Sequence, residues 1–390
     1  MNSGPVLHRT RAARTHVRHA RVSSAVVLVT LAFVLGGCAS GAIPAARATQ
    51  TAKTKSLSGQ HLLVTFPGSA SEFVNTVATN FFTPFEKATG TTVTTSNAST
   101  GPVQLAAEEQ SHNVNISDIV IGSVGDGLLA QQSGYLEPLN PKIVPLKLLA
   151  PGSYTKYGIT AWTYGTVIAW NTHDFPKGSS QPTDITDIFN TTKYTGKRCL
   201  YEYPEYGATL ESALLASGVS ASHLYPLDLT RAFNELDKIK NDIVWWTSGA
   251  QAQADLLNGT CSMALYYAGD LYTMAVKDHE PIGIAWGHAL YESVVLAIPK
   301  GTPTPRASQE LIRDIILNNK AQTNMMRTVP YFTVTLKHGD AAVLPNKKTG
   351  KWALVGANLK TAFAENAQYY STHITSVVSA FNSWLVTSAS

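Results

Sequence analysis

The chain carries apolar residues at two spacings, and together they predict strands that alternate with helices. Three short apolar runs are typical of strands, namely HLLVTFPG (61–68), TTVTTSNAS (91–99) and ISDIVIGS (116–123). Helical spacing is found in residues 71–90, where Ser71 suits an N-cap and Gly90 a stop, and again in residues 101–112. This alternation of strands with helices favours a mainly parallel sheet.

A second set of strands and helices begins after Pro182, and an aromatic-rich stretch separates it from the first. This stretch, YGITAWTYGTVIAWNT (157–172), is interrupted by Gly165 and predicts two strands that meet there. A later run, SVVLAIPKG (293–301), leads back. One outgoing and one returning strand predict an α/β fold of two Rossmann-like lobes joined by a two-strand hinge, with a ligand cleft between the lobes. The expected lobe boundaries are residues 61–165 with 293–390 for the first lobe, and residues 166–292 for the second.

The first 60 residues have the pattern of a secretion signal followed by a tether. Five arginines without any acid precede the apolar run VVLVTLAFVL (26–35), and LGGC (35–38) ends this segment. The pattern predicts a lipoprotein signal peptide over residues 1–37, in which Cys38 takes the lipid, with an ordinary signal peptide or anchor as the alternative. Residues 38–60 are then a flexible tether, and the expected location is the outer face of the cell membrane or the periplasm.

Composition and charge indicate a globular protein and give no support to nucleic-acid binding. The 390 residues are 44% hydrophobic and 14% charged, with 30 basic and 26 acidic residues for a formal net charge of +4. Removal of the five signal-peptide arginines leaves one acid in excess. The basic character therefore belongs to the signal segment, and no nucleic-acid partner is expected.

Two cysteines remain if Cys38 is lipidated. Cys199 and Cys261 both lie on predicted strands of the second lobe. Outside the cytosol such a pair of thiols tends to oxidise, so we expect a disulfide between neighbouring strands. Two buried free thiols are the alternative.

Motifs of common enzymes and metal sites are absent from the sequence or lack their context. There is no HExxH, GxSxG or GxGxxG motif, and the 11 histidines are scattered. SYTK (153–156) and KTG (348–350) match two motifs of penicillin-binding proteins and β-lactamases, but Gly152 precedes the serine where a buried helix should open. We therefore expect no catalysis, no cofactor and no metal ion.

Acidic and aromatic residues follow several predicted strands, where α/β sheets present ligand-facing side chains. They are Ser71, Glu72 and Phe73 at the first helix, Ser123 after the third strand, Glu205 in EYPEY (202–206), Tyr267 in YYAGD (266–270), and Tyr291 with Glu292 near the returning strand. Carboxylates beside aromatic faces suit a cationic ligand, through ion pairs and cation–π contacts.

Each candidate also has an ordinary structural alternative. Glu72 can serve the dipole of the first helix, and Glu205 can be a solvated loop acid. Tyr266 and Tyr267 are adjacent on a strand, so one is expected to face the core, and we place Tyr267 in the cleft. The pair near the returning strand can consist of edge or hinge residues.

The order of these segments resembles that of the bacterial extracellular solute-binding proteins of ABC importers, and within them the spermidine/putrescine-binding type. The likeness covers most of residues 60–385 and rests on SEFV with TPFEKATG, DIVIGS, TYGTVIAWNT, ASG, LLNGTCSMALYYAG, LAIPKGTP and TVPYFTV, in that order. It implies a periplasmic-binding-protein type 2 fold. It also implies polyamine contacts from the candidate residues above and from Tyr331. The sequence departs from the family pattern at Ala70, Gly125 and Ala208, and these departures affect the ligand more than the membership.

The resemblance implies a lipid-anchored monomer that binds a polyamine-like ligand and delivers it to an ABC permease in the membrane. One alternative keeps the fold and binds a ferric ion through Tyr266 and Tyr267. An alternative of another class is a cell-surface hydrolase, either the SxxK type or a two-carboxylate glycosidase that uses Glu202 or Glu205.

Overall fold

A computed structural model of the chain describes residues 56–66, 71–96, 117–331 and 350–388. The predicted signal peptide, the lipidation site Cys38, most of the tether and the predicted helix at residues 101–112 lie outside the described residues. They remain predictions.

The described strands form one nine-stranded sheet. In chain order the strands are β1 His61–Thr65, β2 Thr92–Ser96, β3 Ile119–Ser123, β4 Gly158–Asn171, β5 Arg198–Tyr201, β6 Ile243–Trp246, β7 Met263–Tyr267, β8 Ile282–Ala297 and β9 Phe363–Ala364. Their order across the sheet is β2-β1-β3-β8-β4-β7-β5-β6, and β9 pairs with β8. The long strands β4 and β8 therefore lie in the middle, between a first strand group (β1–β3) and a second strand group (β5–β7).

Each strand group is parallel within itself, and the two long strands join the groups. β1 pairs in parallel with β2 and β3, and β5 pairs in parallel with β6 and β7. β8 is antiparallel to both β3 and β4, and β4 is antiparallel to β7. This arrangement confirms the predicted α/β class and the predicted pair of crossing strands.

Helices cover both strand groups. They are α1 Ser71–Val77, which continues through the π-helical turn Ala78–Phe82 into α2 Thr83–Thr89, and then α3 Val124–Gln132, α4 Thr209–Ala216, α5 Leu229–Asp237, α6 Gly249–Leu257, α7 Ala268–Tyr272, α8 Pro305–Leu317, α9 Asn319–Thr328 and α10 Ala367–Ser388. Gly90 ends α2 with a left-handed φ of 74°, as its position predicts. Across the described ranges, no helix combines the length and apolar content needed to cross a bilayer.

The stretch that was predicted as two strands is a single strand, β4. Its ladder with β8 shifts register twice, but it does not end at Gly165. A Cβ atom at Gly165 would lie 2.7 Å from Cζ3 of Trp286, so the glycine allows the indole ring to approach and does not break the strand. The predicted break was therefore wrong. The returning strand also begins earlier than predicted, at Ile282.

Buried apolar side chains form separate clusters under the two strand groups. Phe81, Trp162 and Leu311 belong to the cluster of the first group, and Ile168 and Leu236 to one of the clusters of the second. The C-terminal helix α10 packs into this second-group cluster, whereas the expected boundaries assign residues 293–390 to the first lobe. The lobe boundaries remain a prediction, and the packing of α10 differs from them.

Cys199 and Cys261 form a disulfide in the structure. Cys199 lies on β5, Cys261 precedes β7, and both residues are fully buried. The bond therefore ties together two neighbouring parallel strands of the second group.

Candidate functional site

The candidate site lies where three strand ends meet the two long strands. In the ladders Ser123 at the end of β3 faces Val294 of β8, and Tyr267 at the end of β7 faces Thr166 of β4. Between these pairs, Tyr164 of β4 faces Glu292 of β8. These positions share one level of the sheet, so side chains from both strand groups converge there.

A ring of hydrogen bonds joins the first strand group to the loop after β5. Ser123 Oγ donates to Glu205 Oε1 at 2.9 Å and accepts from the backbone N–H of Asp126 at 2.8 Å, which caps helix α3. The Tyr206 hydroxyl donates to Asp126 Oδ2 at 2.7 Å. Glu205 is 1% exposed, so its carboxyl group is removed from water.

Glu292 lies beside this ring on β8 and is 3% exposed. The Tyr164 hydroxyl donates to its Oε2, and the backbone N–H of Gly207 donates to its Oε1 at 3.3 Å. Burial outweighs these hydrogen bonds and raises the pKa of Glu292 to about 8.

Glu211 lies deeper, on helix α4, and its neighbours connect it to the C-terminal helix. The hydroxyls of Tyr225 and Tyr370 each donate to Glu211 Oε1 at 2.7 Å, and the same Tyr370 hydroxyl lies 2.9 Å from the carbonyl oxygen of Pro204. Despite these contacts, burial raises the pKa of Glu211. Tyr370 thus links α10 to the residue that directly precedes Glu205.

Five carboxyl groups form what we call the acid cluster: Asp126, Glu205, Glu211, Glu292 and Glu365. Burial is the first cause of a raised pKa in all five, and neighbouring carboxylates raise the pKa of Glu205 and Glu365 further. In the part of the chain that the structure describes, no lysine, arginine or histidine forms an ion pair with any of them. The cluster therefore concentrates carboxyl groups without a basic partner in the described protein.

The loop that carries Glu205 has an unusual backbone. Tyr206, Gly207 and Ala208 follow one another with φ values of 61°, 83° and 60°. Tyr206 and Ala208 have side chains, for which this left-handed region is unfavourable, so surrounding contacts must hold the loop. Those contacts are the hydrogen bonds described above, from Tyr206 to Asp126 and from Gly207 to Glu292.

Aromatic rings line the site next to the acid cluster. Tyr164 is the central ring, with centroids 5.2 Å from Tyr267 and 5.5 Å from Tyr331. Trp246 is 5.9 Å from Tyr267, and Phe73 is 5.2 Å from Tyr331. Rings beside carboxylates can cover the methylene groups of a ligand and face an ammonium group.

A family model described as bacterial extracellular solute-binding protein matches residues 80–350 of this chain. The chain belongs to this family. The predicted membership is confirmed at that level, together with the expectation of a binding protein of the ABC-importer type and not an enzyme.

Two relatives with named ligands are similar to this solute-binding protein along most of its length. The gamma-aminobutyric acid-binding protein of Pseudomonas aeruginosa is 29% identical over 310 residues, which cover 78% of this chain and 85% of the relative. The solved structure of the Atu4243-GABA receptor has a TM-score of 0.72 at 26% identity, over 83% of this chain and 97% of that one. A third structure, AgtB from A. tumefaciens R10 with agropinic acid, has a TM-score of 0.72 at 24% identity, over 84% and 99% of the chains, and shows the fold alone.

The structure brings together some of the residues predicted to bind the ligand. Ser123, Glu205, Tyr267, Glu292 and Tyr331 all lie at the site described above. The adjacent Tyr266 is buried, and its hydroxyl donates to the carbonyl oxygen of Gly249 at 3.1 Å. This agrees with the expectation that one of the two tyrosines faces the core.

The structure places the other predicted residues differently. The carboxylate of Glu72 pairs with Lys277 at 2.6 Å and is not part of the acid cluster. Phe73 is 4% exposed, packs on Trp162, and reaches the site only through Tyr331. Tyr291 is adjacent to Glu292 on β8, so the two side chains leave opposite faces of the sheet, and its carbonyl oxygen accepts from the N–H of Glu365 at 3.0 Å. Ser71 begins α1, and its side chain lies outside the described part of the structure.

Several residues of the site were not among the predicted ones. Asp126 had a usable signal, because it stands three residues after Ser123 at a strand-to-helix junction. Glu365 had none, since it comes from a loop far along the chain. Asp270 on α7 is 1% exposed, and among the described residues no basic side chain forms an ion pair with it. Burial raises the pKa of Asp270 to about 7.

The serine of the SxxK match lies in a turn and does not open a helix. Ser153 Oγ donates to the carbonyl oxygen of Ala150 at 2.8 Å, and strand β4 begins at Gly158. This local structure agrees with the family assignment and leaves the match without the context of a serine hydrolase.

Proposed function

We propose that this solute-binding protein captures a small ligand that carries at least one ammonium group and delivers it to an ABC permease. The observation that carries the proposal is the acid cluster. Glu205 and Glu292 are almost completely buried, and their neighbours within the described residues include other carboxylates but no basic side chain. Buried charge of one sign is unfavourable, and a ligand of opposite charge relieves it.

The aromatic rings refine the chemistry of this ligand. Tyr164 and Tyr267 meet edge to face beside Glu292, and Tyr331 closes the same wall. An ammonium group can lie between the carboxylates while a short methylene chain packs against the rings. The ligand class that fits is therefore a small alkyl amine.

The first candidate within this class is gamma-aminobutyric acid or a similar ω-amino acid. It is favoured by the names of two relatives, each of which spans most of this chain at 26–29% identity. The ammonium end of such a ligand is expected at the acid cluster.

A polyamine such as putrescine or spermidine is the second candidate, and a specific observation favours it. Asp270 supplies another buried carboxylate, which is separate from the acid cluster. The adjacent Gly269 packs directly against the Tyr331 ring, so Asp270 lies near that ring. Two separated acidic positions suit a ligand with two ammonium groups. The polyamine-like ligand that the sequence predicts thus stays a proposal.

Four ligands of similar size separate these candidates. Butyrate, butylamine, gamma-aminobutyric acid and putrescine share a four-carbon chain and differ only in their end groups. A ligand at a hundred times its Kd should raise the free energy of unfolding by about 2.7 kcal/mol, which a thermal-shift assay detects as several degrees. Binding of the amines but not of butyrate supports the proposal, and binding of butyrate alone refutes it. The ω-amino acid assignment requires gamma-aminobutyric acid to bind more tightly than butylamine and putrescine.

The role of Glu205 is tested by Glu205→Gln, which keeps the size of the side chain and removes its charge. We expect a loss of about 1–3 kcal/mol in binding free energy, the contribution of a charged hydrogen bond. Glu280→Gln is the matched control, because the Glu280 side chain makes no hydrogen bond or ion pair among the described residues. Glu72→Gln should cost less than Glu205→Gln, since the Glu72 carboxylate already pairs with Lys277 in a partly exposed ion pair. Unchanged affinity in Glu205→Gln would remove Glu205 from the site.

A further inference from the structure

Asp126 and Glu205 reach one hydrogen-bonded ring from opposite sides of the long strands β4 and β8. Asp126 lies on α3, directly after β3 of the first strand group, and Glu205 follows β5 of the second group. Each acid accepts a hydrogen bond from a residue that lies close in sequence to the other acid. Ser123 Oγ donates to Glu205 Oε1 at 2.9 Å, and the Tyr206 hydroxyl donates to Asp126 Oδ2 at 2.7 Å. Both bonds connect the first group to the second, so they form only when the two groups approach.

The surroundings of this ring add further acids and no base. The groups that face it are Glu292 on β8, Glu211 on α4, Glu365 before α10, and the hydroxyls of Tyr201, Tyr203, Tyr206 and Tyr370. Within the described ranges, no lysine, arginine or histidine pairs with Asp126 or Glu205. Glu205 is buried and Asp126 is half-buried, so two ionised carboxylates in this ring would repel each other with little screening by water.

One oxygen atom of Glu205 supports a neutral form of this carboxyl group. Its Oε2 is buried and has no hydrogen-bond partner among the described residues. An ionised carboxylate buried in this way is costly, whereas a protonated carboxyl group avoids most of that cost. The closed ring is therefore compatible with a proton on the pair.

We propose that closure of the cleft requires one positive charge at the Asp126–Glu205 pair, and that a proton supplies this charge when no ligand is bound. This inference rests on the proposed function in one respect, since the ammonium group of the ligand is what replaces the proton. At high pH the ligand-free pair ionises, the two carboxylates repel, and the strand groups separate. At low pH one carboxyl group is neutral, and the empty protein closes.

The same exchange makes ligand binding depend on pH. At low pH an ammonium ligand must displace a proton and open a cleft that is already closed, so its affinity falls. Release of one proton per ligand changes the Kd by about tenfold for each pH unit. The protein then binds its ligand more tightly at neutral or alkaline pH than in acid.

Small-angle X-ray scattering of the ligand-free protein tests the closure step directly. The radius of gyration, about 20 Å for a compact chain of this size, should be smaller at about pH 5 than at about pH 8. An equal radius at both pH values would overturn the proposal.

Two variants and one control assign the effect to the carboxyl pair. Asp126→Asn keeps an acceptor for the Tyr206 hydroxyl and removes one charge, so this variant should be compact at both pH values. Glu205→Gln should behave in the same way and provides a second test if the first variant folds poorly. Asp174→Asn is the control, because Asp174 is exposed and its side chain makes no contact that the described structure records. The proposal fails if a folded Asp126→Asn or Glu205→Gln variant expands at high pH as the wild type does.

The two proposals can fail separately, because the scattering experiment uses no ligand. With gamma-aminobutyric acid and putrescine as probes, calorimetry at both pH values should give a Kd about tenfold larger for each pH unit of acidification. If neither probe binds while the ligand-free protein closes in acid, the amine assignment is wrong and the proton switch stands. If a probe binds with the same Kd at both pH values, the proton exchange is wrong and the amine assignment stands.

Discussion

Glu292 gives the most direct test of the buried acid cluster, through the pH dependence of stability. Its pKa rises from an ordinary value of 4.5 to about 8 in the folded protein, mainly because the side chain is 3% exposed. A carboxyl group with a raised pKa stabilises the fold while it is protonated, so this contribution is present below about pH 4.5 and is lost as the pH rises through about 8. At about 1.4 kcal/mol for each pKa unit, the upper limit of the loss is about 5 kcal/mol.

Glu292→Gln should remove this part of the pH dependence. The amide keeps an oxygen that can accept from the Tyr164 hydroxyl or the Gly207 N–H, but it cannot ionise. Because neighbouring acids share the same protons, we expect a difference of about 2–5 kcal/mol between the pH profiles of wild type and variant. Urea midpoints measured from about pH 4.5 to about pH 9 give these profiles, with Glu280→Gln as the control. Parallel profiles for wild type and Glu292→Gln would show that Glu292 is ionised in the folded protein, and would refute the reasoning.

Two further predictions concern packing at the site and the disulfide. In Gly125→Ala the new Cβ would lie 2.7 Å from Glu205 Oε1, so we expect a loss of about 1–3 kcal/mol in stability and weaker amine binding. Gly122→Ala is the control, since its Cβ would meet no atom within 4 Å, and an equal effect of both substitutions on melting temperature and affinity would contradict the prediction. Replacing Cys199 and Cys261 together by serine should lower the free energy of unfolding in urea by about 4 kcal/mol, because the bond closes a loop between residues 62 apart in sequence. An unchanged urea midpoint would show that the bond does not constrain the unfolded chain.

The ends of the strands were the most useful signal for locating the site from sequence. Ser123 and Tyr267 end β3 and β7, and Glu205 follows β5. The two strand groups run in opposite directions, so the carboxyl ends of both point toward the middle of the long strands β4 and β8. Glu292 was predicted from its place near the returning strand, and pairing with Tyr164 of β4 brings it to the same level. Residues of this kind can be found from sequence because the alternation of strands and helices fixes where strand ends meet.

Glu72 shows where the same reasoning fails. It also follows a strand and begins a helix, yet its carboxylate pairs with Lys277, a residue 205 positions later in the chain. The local pattern specifies that Glu72 lies in the first turn of α1. It does not specify that Lys277, which follows the strands of the second group, lies close enough to pair with it. An ion pair between distant segments depends on how the strand groups meet, and no local spacing encodes that arrangement.

Glu365 and Glu211 show why the extent of the acid cluster could not be predicted. Glu365 is brought to the site by the hydrogen bond from its N–H to Tyr291 and by the short strand β9. Glu211 lies in α4, a helix whose residues 209–214 are all buried, where an acid is uncommon. Burial of Glu211 is possible because hydroxyls from Tyr225 and Tyr370 accompany it. Tyr370 in turn comes from the C-terminal helix, whose packing against the second strand group the sequence did not indicate.

The acids of the cluster come from separate segments of the chain, and this separation bears on how the site works. A cluster of acids within one segment would stay together whether the two strand groups were close or apart. Here Asp126 belongs to the first group and Glu205 to the second, so the local concentration of negative charge depends on how closely the groups approach. A ligand that neutralises the cluster therefore stabilises the closed arrangement, and closure in turn strengthens the interaction with the ligand, because the binding free energies of the two processes are linked. Under the proposed function, the acid cluster selects a positively charged ligand, and at a pH where the empty pair is ionised it makes closure depend on that ligand.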